Sequence, residues 1–110
     1  MTEQNKIQIS LQEIEVKDLE GRIYEIEDLF VKVSNWLFTN TEMIEVDEAA
    51  RILTKGGTVA VSEEALEEMA LITKAFTWYK LFARKQISQY FTDKITELKN
   101  QTTVEHEKEQ

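Results

Sequence analysis

Four carboxylates crowd the segment SEEALEEM: Glu63, Glu64, Glu67 and Glu68 fall on adjacent turns of an expected helix. Paired carboxylates at that spacing can hold a divalent cation or exchange protons with a substrate. No histidine stands nearby, since the single one is His106, and the positive end of a helix dipole favours acids there without any ligand. No metal site is therefore expected. Lys55-Gly56-Gly57-Thr58 resembles a fragment of a phosphate loop, but the lysine precedes the glycines and the rest of the pattern is absent. It reads as a helix stop followed by a strand. With no cysteine and one histidine, neither a thiolate nucleophile nor a Ser-His-Asp set can be assembled. The expectation is a protein that is not an enzyme and carries no cofactor.

The remaining candidate is KAFTWYKLFARK, residues 74 to 85, with four aromatic side chains and four positive charges. At ~100 degrees per residue, Ala65, Met69, Ile72, Phe76, Tyr79, Ala83, Ile87 and Tyr90 form one stripe, which is expected to face the core. A second set, Leu71, Ala75, Trp78 and Phe82, projects about 100 to 120 degrees away by the same spacing. Trp78 and Phe82 either complete a broader core or form an exposed aromatic patch of the kind that marks an interface. Lys74, Lys80, Arg84 and Lys85 flank that second stripe as a charged rim.

Bases beside stackable rings are also what a single-stranded nucleic acid requires. The charge balance argues against it. Residues 1 to 73 carry sixteen acids against six bases, whereas 74 to 99 carry two against six, within a chain of net charge -8. A surface this acidic repels phosphate over most of its area. The bases are better matched to acids, on this chain's N-terminal half or on a neighbouring copy. The partner expected is a protein or a second copy, with no nucleic acid and no membrane.

These residues need a scaffold to position them, and 110 residues without proline suffice for one modest core. Residues 1 to 99 read as a single domain and 100 to 110 as a polar, flexible tail. In KIQISLQEIEV the apolar residues alternate and then switch parity at Gln12-Glu13, which predicts a strand with a bulge or short turn. Asp18 and Gly21 supply turn chemistry before RIYEIE, giving a hairpin. Asp28 is placed to cap a helix bearing Leu29, Phe30, Val33, Trp36 and Leu37, and a second helix starts near Thr41 and closes at Gly56. GTVAVS makes a third short strand on the hairpin's edge. Ser62 then caps a long final helix that runs to about Lys99 or breaks near Thr92-Asp93. The fold class is α+β in the order β-β-α-α-β-α: a short N-terminal hairpin, two short helices, a third strand and one long C-terminal helix.

The segments EVKDLEGRIYEIEDLFVKVSNWLF and GGTVAVSEEALEEM, within residues 14 to 69, resemble those of small proteins encoded by bacteriophages and prophages. That resemblance carries no active site. It implies a setting in which short acidic chains serve as virion parts, assembly factors or inhibitors of host machinery. The leading expectation is a non-catalytic interaction module that assembles with itself or a larger partner through its C-terminal helix, using Leu71, Trp78 and Phe82 with Lys74, Lys80, Arg84 and Lys85. The alternative is an acidic nucleic-acid mimic that inhibits a host enzyme. The start MTEQNKIQIS lacks the basic and apolar stretches of a secretory signal, so the cytoplasm of a host cell or a virion is the expected location.

Overall fold

Ile7 and Ile9 turn inward and Lys6 and Gln8 outward, and this alternation forms β1 (Lys6–Ile9). The computed structural model describes residues 5–75, 77 and 79–109. A single 3-10 turn, Leu11–Glu13, follows β1 and produces the parity switch read from the sequence. Next come α1 (Leu29–Asn40), α2 (Ile44–Leu53), β2 (Val59–Ser62), α3 (Glu63–Ala75) and α4 (Leu81–Glu109). The class is α+β and the element order agrees with the sequence expectation.

Sheet pairing differs in detail from a hairpin extended by an edge strand. β1 pairs antiparallel with β2, Lys6 opposite Ser62 and Ile9 opposite Val59. The expected hairpin is a short ribbon closed by one antiparallel bridge, Lys17 to Ile23. Its turn is built as the residue types dictate. The Asp18 side chain accepts from the N–H groups of Glu20 and Arg22, and Gly21 takes a left-handed φ of 82°.

Two of the helix ends before α4 follow the expected local chemistry and two depart from it. Gly56, at φ 83°, closes α2, and the Ser62 hydroxyl accepts from the Ala65 N–H at 3.2 Å as the N-cap of α3. Asp28 precedes α1 in the left-handed region at φ 53° and makes no side-chain cap, a conformation that aspartate tolerates better than most residues. Helix α2 begins at Ile44 rather than near Thr41, because the Thr41 hydroxyl accepts from the Met43 N–H and donates to Glu68 on α3.

The helical run behind β2 is divided. Helix α3 ends at Ala75, α4 starts at Leu81, and α4 folds back antiparallel along α3. Arg84 secures the reversal: its Nε donates to the Tyr79 carbonyl at 3.0 Å and its Nη1 to the Lys74 carbonyl at 3.2 Å, so one guanidinium satisfies a C-terminal carbonyl of α3. Further along, the Ser88 hydroxyl donates to the Ala70 carbonyl at 2.9 Å, and Lys99 meets Glu63 at 3.7 Å. Helix α4 extends to Glu109, past the point where the apolar pattern stops.

The core lies between the helical layer and β1-β2. Its largest fully buried side chains include Trp36, Phe91, Leu37, Leu53, Leu66, Met69 and Ile87. Of the stripe predicted to face it, Ala65, Met69, Ala83 and Ile87 are buried and Ile72, Tyr79 and Tyr90 are partly so; Phe76 lies outside the described residues.

Tyr90 ties the two ends of the fold together. Its hydroxyl accepts from the Ser10 N–H at 3.1 Å, and its proton is shared between the Ser10 carbonyl at 3.0 Å and a Glu13 carboxylate oxygen at 2.6 Å. Burial first, then the hydrogen bond to Glu13, holds this hydroxyl well above the ordinary tyrosine range. The unfolded chain thus releases the proton first as pH rises. The stabilisation is complete below the unfolded value of about 10 and is lost progressively above it. Urea titrations from pH 8 to 11.5 are expected to show a steeper alkaline loss of stability for the wild type than for Tyr90→Phe, which should already be weaker by about 1–2 kcal/mol at neutral pH.

Candidate interaction surface

Two clefts flank the first half of α4, and Lys85 lines both. The ribbon cleft, of about 810 Å³, lies between residues 17–24 and the start of α4, with Leu19, Tyr24 and Phe82 as its apolar residues. The helix groove, of about 440 Å³, runs between α3 and α4 and includes Leu71, Lys74, Ser88 and Ile95.

The ribbon is held in place by a side chain that imitates a neighbouring strand. Gln86 accepts from the Lys17 N–H at 2.7 Å and donates to the Lys17 carbonyl at 2.9 Å. Its Nε2 also reaches the Phe82 carbonyl at 3.0 Å, one turn back on α4. With Lys17 fixed, Tyr24 meets Phe82 edge to face, ring centroids 5.2 Å apart at 87°. Both rings keep an outer face in solvent, Tyr24 at 52 % and Phe82 at 39 % exposure. Leu19, at the tip of the turn, is fully exposed.

Charge around the ribbon cleft is mixed. Arg22 pairs with Asp18 and Glu20, and Lys17 lies 3.9 Å from Glu15. Lys85 has no carboxylate within ion-pair distance among the described residues. It is an available cation of this face.

The predicted interaction residues separate into groups. Leu71, exposed at 66 %, and Lys74 belong to the helix groove; Phe82 belongs to the ribbon cleft. They are not on one continuous helical face, because the chain reverses between Ala75 and Leu81. Lys80 is exposed beside Tyr24, Tyr79 and Phe82. Arg84 is directed onto backbone carbonyls and holds the helix reversal, where the sequence suggested a rim charge. Trp78 lies outside the described residues.

Sequence reasoning did not find Leu19, Tyr24 or Gln86. A leucine between Asp18 and Glu20-Gly21 in a polar turn is a signal that was available. Gln86 offered none, since its partner is 69 residues away. The four glutamates of α3 diverge: Glu63 meets Lys99, Glu68 accepts from Thr41, and Glu64 and Glu67 are exposed. Among the described residues, no group of three or more acids or histidines converges to hold a metal, and no helix is long and apolar enough to cross a membrane.

Comparison of the chain with protein-family models, with curated proteins and with solved structures finds no match to any of them.

Proposed function

We propose that this chain is a non-catalytic protein-interaction module that docks a protein partner across the ribbon cleft. The observation that carries the reading is the exposed apolar set Leu19, Tyr24 and Phe82, contributed by two elements that Gln86 locks together, with the unpaired Lys85 beside it. Apolar anchors on a rigid frame with a polar rim are the usual energetic centre of a protein interface. A ribbon fixed in advance also lowers the ordering cost of association.

Nucleic acid does not suit this cleft. Of the three bases that line it, Arg22 is paired with Asp18 and Glu20 and Lys17 lies beside Glu15, so Lys85 alone is left to meet a phosphate backbone. An acidic module with such a surface is compatible with a role as a virion part or assembly factor.

The test is native co-purification of the tagged full chain, with the partner identified by mass spectrometry and its affinity measured. The double variant Leu19→Ser/Phe82→Ala alters only exposed or half-exposed positions and should keep the wild-type circular dichroism. Its expected affinity loss is at least ~2 kcal/mol. Unchanged binding by a folded double variant would remove the ribbon cleft from the function.

A further inference from the structure

On the outer face of α3, Glu67, Leu71 and Lys74 follow one another at spacings of four and three, so they form one exposed row. Leu71 is the large apolar residue of that row. Neither Glu67 nor Lys74 has an ion-pair partner among the described residues. The antiparallel return of α4 adds charge of the matching sign at one end: Lys85 lines the same groove near Lys74. The groove is thus basic where the chain reverses and acidic toward Glu67.

We propose that the occupant of this groove is a second copy of the chain, related by a two-fold axis passing close to Leu71. Helix geometry makes the row complementary to itself. At 1.5 Å per residue, Glu67 lies ~6 Å before Leu71 and Lys74 ~4.5 Å after it. When two α3 helices pack antiparallel about Leu71, each Glu67 falls within ~1.5 Å of the level of the other copy's Lys74. Leu71 meets its own counterpart at the centre, and two equivalent ion pairs flank it, as a two-fold contact requires. Within one chain Glu67 and Lys74 are ~10.5 Å apart along the axis and do not pair. This inference goes beyond the ribbon-cleft reading and uses a different face.

Sedimentation equilibrium of the full chain tests it. The wild type is expected to form a dimer that weakens as salt screens the flanking pairs. Glu67→Lys and Lys74→Glu should each weaken the dimer by about tenfold at low salt by placing like charges opposite one another. The double exchange Glu67→Lys/Lys74→Glu should restore it, an outcome that only a contact between copies produces. Leu71→Asp should yield monomer, with helix content checked by circular dichroism, while Leu19→Ser/Phe82→Ala should leave the dimer unchanged. A wild type that stays monomeric, or a double exchange that fails to restore the dimer, overturns the inference. A dimer dissolved by Leu19→Ser/Phe82→Ala but not by Leu71→Asp also overturns it, and would leave the ribbon cleft as the interaction surface.

Discussion

Trp36→Ala is expected to leave the chain at best marginally folded. The indole is 1 % exposed at the centre of α1's buried face, and its ring lies 5.0 Å from that of Tyr79, in the segment where α3 gives way to α4. Removing it takes away the largest fully buried side chain among the described residues and leaves a cavity that neighbours on several elements cannot close together. Truncations of this kind cost about 3–5 kcal/mol, against a total of about 5–15 kcal/mol for a domain. Urea unfolding followed by circular dichroism is the direct measurement. A midpoint within experimental error of the wild type would mean that Trp36 does not organise the core as described.

Glu45→Ala is expected to be the most damaging change at a polar position, with a loss of about 2–3 kcal/mol from stranding buried groups. One Glu45 oxygen accepts from the Ser62 N–H at 2.8 Å and the other from the Ser62 hydroxyl at 2.6 Å. That hydroxyl in turn accepts from the Ala65 N–H. The carboxylate of α2 thereby aims the cap of α3 at the point where β2 ends. Without it, the buried Ser62 N–H loses its acceptor and the cap its orientation. Glu45→Gln keeps an acceptor and should lose less; equal stability of the alanine and wild-type chains in urea would refute the assignment.

The Ser62 cap shows what was legible in the sequence. Serine before Glu63 and Glu64 specifies a helix start through bonds spanning three residues, and the Asp18-Gly21 turn and the Gly56 stop are equally local. Periodicity likewise identified the buried side of the last two helices. Ala65, Met69, Ala83 and Ile87 are core residues even though the helix carrying them is interrupted, because α3 and α4 turn their own apolar faces to the same interior.

What was not legible depends on long-range contacts. No proline or glycine marks the reversal after Ala75; it is stabilised by Arg84 and Ser88 reaching carbonyls of α3, with separations of 10 and 18 residues between the partners. The same holds for β1, whose alternation announced a strand but not that its partner would be Val59–Ser62. The candidate surface suffered most from this. A face computed for an unbroken helix joined Leu71 to Phe82, whereas the reversal assigns them to different clefts and recruits Leu19 and Tyr24 from the ribbon instead.

The clasp between Ser10 and Tyr90 bears on how the chain is made. A ribosome delivers residues in order, so Ile7, Ile9 and Leu11 emerge long before Val59–Ser62 can pair with them or Tyr90 can bind Ser10 across its separation of 80 residues. Closing such distant contacts is slow, and the apolar side of β1 waits uncovered in the meantime. Although β1 is synthesised before every described element that it pairs with, it is therefore among the last of them to be secured, and its apolar side stays open to aggregation until β2 and α4 arrive.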